Sequence, residues 1–187
     1  DATDRYGFGG NPDLEPERSL NLEAGVRHRA GDHTFALSAF RNQIDDLIEF
    51  VTLSYDPFAG ENRNVDEARI EGVEAAYEYA AGPWSARVEA IVQDPQNLTT
   101  GEQLYRRAKE SLTVSVARTF GTVDLGVDVL ATGERLDFGY PTPVTLDGYV
   151  LANLTARWRA TPALAVIARV ENVLNEQYEL AHTFNTP

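Results

Sequence analysis

The chain has 187 residues, with 16 Lys+Arg against 29 Asp+Glu and a formal net charge of −13. That acidic excess excludes a nucleic-acid partner gripped through its phosphates, which needs a dense basic surface. The absence of cysteine excludes disulfides, thiolate metal sites and thiol nucleophiles. No run free of Asp, Glu, Lys and Arg exceeds nine residues, too short for a spanning helix of about 20 residues. A spanning β-strand needs only about 9–11 and alternates polar with apolar, so that architecture stays open. The chain begins Asp-Ala-Thr-Asp, with neither an initiator methionine nor a signal peptide, and reads as a piece of something longer.

Alternation with period two dominates. In chain order, residues 19–28 set Leu20, Leu22, Ala24 and Val26 against Asn21, Glu23 and Arg27. Residues 33–50 form a second, less regular strand, and 68–80 a third, although Ala68, Gly72, Val73, Ala76, Tyr77 and Ala80 also fit a helical stripe. Residues 84–93 oppose Trp84, Ala86, Val88, Ala90 and Val92 to Ser85, Arg87, Glu89 and Gln93. Residues 100–112 fit a helix opened by the capping box Thr100-x-x-Gln103, yet 111–117 alternate Leu112, Val114 and Val116 with Ser111, Thr113 and Ser115. Residues 122–131 carry the cleanest pattern: Val123, Leu125, Val127, Val129 and Ala131 against Asp124, Gly126 and Asp128. Residues 149–158 and 163–171 complete eight strands, with Ile167 on the wrong parity of the last.

The connections alternate strictly. Short, turn-forming links stand at Ala30-Gly31-Asp32, Ala81-Gly82-Pro83, Thr119-Phe120-Gly121 and Ala160-Thr161-Pro162. Long ones run over about 51–66, 95–104 and 134–147, with an open end after Leu180. In an up-and-down antiparallel sheet all short turns then lie at one end and all long loops at the other, the layout of an outer-membrane barrel. Alternation alone leaves a soluble barrel or sandwich, binding a small apolar ligand, as the alternative. Two features favour lipid: Trp84, Trp158 and Tyr79 sit near the short turns like an interfacial girdle, and the strands continue into charged extensions such as Arg41 to Glu49.

Three segments resemble the C-terminal half of the TonB-dependent outer-membrane receptors. The first is Gly10-Asn11-Pro12-Asp13-Leu14-Glu15-Pro16-Glu17, similar to the run that leads into a descending barrel strand. The second pairs Phe40-Arg41-Asn42-Gln43-Ile44-Asp45-Asp46-Leu47-Ile48 with Asn64 and Ala68-Arg69-Ile70-Glu71-Gly72-Val73-Glu74. The third is Val170-Glu171-Asn172-Val173-Leu174-Asn175-Glu176-Gln177-Tyr178, resembling the penultimate strand's motif. Within the family, Leu104-Tyr105-Arg106-Arg107-Ala108-Lys109 is similar to a stretch of the cobalamin (vitamin B12) receptors, siderophore receptors being the second match.

The resemblance implies an all-β, antiparallel up-and-down transmembrane β-barrel of 22 strands around an N-terminal plug. Residues 1–187 would supply about eight strands of its C-terminal portion, without the plug, the first half of the barrel or the last strand. It implies import of cobalamin or a ferric siderophore, in outer-membrane lipid, with the plug and the TonB protein engaged through the missing N-terminal part. The family-motif positions are Asn11, Pro12, Leu14, Pro16, Glu17, Arg69, Ile70, Gly72, Glu74, Asn172, Leu174 and Tyr178. An inert structural fragment is the remaining alternative.

Enzymatic readings are weak. Asp45, Asp46 and Glu49 suggest calcium only superficially, because neighbouring strand residues point to opposite faces. The carboxylate pairs Asp124/Asp128 and Glu74/Glu78 fit a charged lumen wall more simply than glycoside hydrolysis. His28 and His33 bracket a turn, and His182 is distant in sequence. No nucleophile elbow, phosphate loop or zinc-protease motif is present, so neither an enzyme nor a cofactor is expected. The candidate ligand contacts are the aromatics of the long loops, Tyr55, Phe58, Tyr105, Phe138, Tyr140 and Phe184, which offer apolar area with polar edges.

Overall fold

The computed structural model describes residues 2–55, 57–64, 67–139 and 141–186, with backbone alone at Thr52, Tyr55, Asn185 and Thr186. A short helix, α1 (Ala2–Tyr6), precedes fourteen strands: β1 (Arg18–Ala30), β2 (His33–Asp45), β3 (Ile48–Tyr55), β4 (Phe58–Asn64), β5 (Ala68–Ala81), β6 (Trp84–Asn97), β7 (Glu110–Phe120), β8 (Val123–Thr132), β9 (Arg135–Asp137), β10 (Val144–Leu146), β11 (Tyr149–Thr161), β12 (Leu164–Val170), β13 (Tyr178–Ala181) and β14 (Phe184–Thr186). Eight of them form one sheet in the order β1-β2-β5-β6-β7-β8-β11-β12; β3-β4, β9-β10 and β13-β14 are separate two-stranded ribbons in the long connections.

The expected strand over 33–50 is cut in two. Asp46 takes φ 60°, a left-handed conformation that Asp tolerates better than most residues, and the chain restarts as β3. The supposed loop 51–66 is therefore largely a hairpin, with Ile48 opposite Asn64 and Val51 opposite Glu61. Both helical alternatives fail. Residues 68–81 are strand, and the capping-box candidate over 100–112 is loop until β7 begins at Glu110. Thr100 Oγ1 instead accepts from the Glu102 amide, within a turn where Asn97 Oδ1 takes the amides of Thr99 and Thr100.

The chain divides into two compact units. One comprises Asp1–Leu22, Arg41–Glu71 and Asp94–Leu104; the other Glu23–Phe40, Gly72–Gln93 and Tyr105–Pro187. In the first, the β3–β4 ribbon and the leading segment interlock. Leu14 is buried, the Glu15 amide donates to Asn64 Oδ1, and Asn64 Nδ2 returns bonds to the carbonyls of Glu15 and Asp46.

In the second unit the cross-strand register builds continuous rows. Ala86, Val116, Val127, Leu154 and Val170 are successive partners across β6, β7, β8, β11 and β12. The adjoining row on the same face is Val88, Val114, Val129 and Ala152. The alternate rows are polar: Arg87, Ser115, Asp128 and Asn153 are likewise opposite one another. The apolar rows do not converge on a dry interior: Val127 and Leu154 remain 44% and 43% exposed. Among the described residues the buried apolar side chains are few: Leu14, Ala68, Pro95, Leu146 and Ala152. A soluble sheet of this size would bury its Val and Leu rows at about 25 cal/mol per Å²; this one leaves them uncovered, as suits a sheet solvated by hydrocarbon.

The short turns fall at residues 31–32, 82–83, 121–122 and 162–163. Three begin with glycine at positive φ, Gly31, Gly82 and Gly121 at 60°, 54° and 59°, where a side chain would be strained. The carbonyl after each glycine is capped by the following hairpin: Ala80 N donates to Asp32 O, Thr119 N to Pro83 O and Arg159 N to Thr122 O.

Candidate functional site

The polar face of the second unit is a hydrogen-bonded wall. Arg87 bridges Glu78 and Glu89 at 2.7 and 2.6 Å. Asp124 accepts from Thr119 and Arg159, and Asp128 accepts from Ser115 at 2.6 Å. Glu74 lines a cleft of about 450 Å³ on this face with Glu23, Arg27 and Glu89. Gly72 lets β5 and β6 approach: a Cβ there would lie 2.5 Å from the Val92 carbonyl oxygen and 2.9 Å from Gln93 Cα.

The long-loop end of the same unit is organised by a residue that the sequence patterns gave no reason to single out. Asp137, 1% exposed, receives Arg106 Nε at 2.7 Å and the Phe138 amide on Oδ1, and the His182 amide on Oδ2. Burial disfavours the charged form. The donors of His182, Arg106 and Phe138 outweigh it and hold the carboxyl below the usual carboxylate range. Arg106 adopts φ 58° to reach this point, and its own amide donates to Leu136 O. Three loop segments are thereby pinned to one carboxylate. Beside it, buried Arg135 donates to the Glu179 carbonyl and lies over Tyr149 at 5.2 Å, and Tyr149 packs on Tyr178 at 4.5 Å. A cavity of about 940 Å³ opens here between Val144–Gly148 and Asn175–Glu179.

The candidate ligand contacts separate. Phe58 stacks with Phe8 and Phe50 at centroid distances near 6.2 Å in the first unit, each ring well exposed. Tyr105, Phe138 and Phe184 belong to the second unit and are 40%, 50% and 71% exposed. Tyr55 pairs with Phe58 through the backbone, its side chain lying outside the description, and Tyr140 lies outside the described residues.

The motif positions sit at junctions of the chain. Asn11 Nδ2 donates to Asn62 O, Asn11 Oδ1 accepts from the Asp13 amide, and Glu17 accepts from the Ile48 amide; Pro12 and Pro16 are exposed on either side of Leu14. Arg69 reaches Gln96 and Glu71, with Ile70 half-buried beside it. Asn172 holds a turn at φ 49°, its side chain bonding both the amide and the carbonyl of Glu176, and its own amide donates to Asn153 Oδ1. Leu174 is 58% exposed. Among the described residues no cluster of three or more His, Asp or Glu side chains could hold a metal.

Residues 1–173 match the family described as "TonB dependent receptor-like, beta-barrel". The chain belongs to this family. It is 34% identical over 176 residues to a vitamin B12 transporter, BtuB, of Vibrio vulnificus, a match covering 93% of this chain and 28% of that protein. Among solved structures, the copper transporter OprC superposes with a TM-score of 0.81 at 18% identity, over 97% of this chain and 31% of that one. The siderophore receptor PirA of Acinetobacter baumannii does so at 0.76 and 18%, over 95% and 31%. This chain thus spans about a third or less of the relatives that it matches. It is a bacterial outer-membrane β-barrel segment, not an enzyme.

Proposed function

We propose that this chain forms part of the wall and outer mouth of a TonB-dependent importer of a scarce nutrient, cobalamin before ferric siderophore. The likeness at 34% identity to a vitamin B12 transporter carries the choice of ligand. The Arg106-Arg107-Ala108-Lys109 run supports it, since its first arginine anchors the loop that holds Tyr105. The charged inner wall of Arg87, Glu78, Asp124 and Asp128 meets the plug domain. Ligand contacts come from Tyr55 and Phe58 in the first unit and, separately, from Tyr105, Phe138, Tyr140 and Phe184 in the second. Uptake is driven from the inner membrane through TonB.

A strain lacking its own corrinoid receptor, supplied with the intact receptor containing this segment, tests the assignment. Radiolabelled cyanocobalamin should accumulate only when TonB is present. Accumulation of a ferric siderophore without any corrinoid would move the ligand to the second class, and uptake of neither would refute the import reading.

A further inference from the structure

Five strands of the second unit, β6, β7, β8, β11 and β12, are joined by a known register, and their lipid-facing positions are apolar except at two places. Glu110, opposite Val92, stands at the long-connection end where β7 begins; the other is Arg118. It stands opposite Trp84 on one side and Leu125 on the other, one row from the Phe120, Val123, Trp158 row that borders the short turns. Its guanidinium carbon lies 4.7 Å from the Trp84 ring centre and 4.4 Å from that of Phe120. No carboxylate among the described residues pairs with it. Both neighbouring strands are present, so no further strand of the sheet is needed to flank it.

A guanidinium carries five N–H donors, and two aromatic faces satisfy its charge in part while accepting few of those hydrogens. In hydrocarbon the remainder would be costly. At the depth of an aromatic belt, phospholipid phosphates are the abundant acceptors, and a planar fork matches phosphate bidentately. We propose that Arg118, held between Trp84 and Phe120, is a binding site for the phosphate of a phospholipid in the periplasm-facing leaflet. The rings fix the guanidinium at headgroup depth, and the half-exposed Leu164, Val166 and Trp158 extend an apolar surface for the acyl chains.

The proposal rests on the lipid-facing assignment of this parity, which fluorescence quenching by brominated lipids checks independently. The test is native mass spectrometry of the intact detergent-purified receptor titrated with dioleoyl phosphatidylglycerol and, separately, dioleoylglycerol, which has the same chains and no phosphate. Wild type should retain one phosphatidylglycerol that Arg118→Gln binds about tenfold or more weakly, as loss of a charged hydrogen-bonded pair requires; Arg118→Lys should fall between. Dioleoylglycerol should bind wild type and variant alike, and inorganic phosphate should not displace the lipid. Folding of each variant is verified by its heat-modifiable gel mobility. Equal phosphatidylglycerol retention by wild type and Arg118→Gln, an equal loss of dioleoylglycerol, or displacement by inorganic phosphate would each overturn the assignment.

Discussion

Arg106 and Asp137, 31 residues apart in the chain, meet at 2.7 Å on a carboxylate that is 1% exposed. The pairing joins the loop after β6 to the β9–β10 ribbon, and the His182 amide brings the β13–β14 ribbon to the same oxygen pair. The long-connection end of this unit is thus built as a tied assembly rather than as independent loops.

The tie is sensitive to acid. Asp137 is held below its ordinary value of about 3.9 when folded, so its contribution is complete above that pH and is lost as pH falls through the depressed folded value. Hydrogen exchange at the Phe138 and His182 amides should accelerate as pH is lowered through and below the ordinary carboxylate range, beyond the intrinsic rate change. Asp137→Asn should abolish that pH dependence and loosen both amides already at neutral pH, by about 1–3 kcal/mol of local stability.

Gly72 is required by contact rather than by φ. A methyl group there meets the Val92 carbonyl oxygen of the adjoining strand, and the overlap cannot relax without moving β5 from β6. Gly72→Ala should destabilise the barrel by about 1–3 kcal/mol, read as a lower urea midpoint for refolding into lipid vesicles. Ala75→Gly, at an exposed strand position, should cost about 1 kcal/mol or less.

Val127 and Asp128 are chain neighbours on opposite faces. Val127→Arg places a charge in the row of Val116 and Leu154 and should cost about 2–4 kcal/mol near the bilayer midplane. Asp128→Arg loses the bond from Ser115 but faces the polar wall, and should cost much less. Equilibrium unfolding from vesicles separates the two.

The spanning strands were legible because a sheet wet on one face and oily on the other writes a period of two into its residues. That signal located the centre of every strand of the main sheet and even marked Ile167, which lies opposite Arg157 on the polar face. It fails at β4, where the run Gly60-Glu61-Asn62-Arg63-Asn64 is polar throughout and carries no alternation to mark a strand. The helical stripe in β5 was a coincidence of alanine content, overridden by cross-strand partners: Tyr77 and Tyr79 stack beside His33 on one face. Asp137 was invisible because its partners lie 31 and 45 residues away in segments without periodicity. The motif residues were visible by resemblance, whereas the reason for Asn172, a turn it caps with its own side chain, emerged only from the geometry.

The central claim is that the Val116, Val127, Leu154 row faces acyl chains and the Ser115, Asp128, Asn153 row faces the lumen. The chain has no cysteine, so single cysteines at these six positions of the intact barrel can carry a bimane fluorophore in vesicles containing brominated lipids. Bromine should quench the label at residues 116, 127 and 154 and leave it bright at 115, 128 and 153. Equal quenching of both sets, or the reverse pattern, would contradict the account.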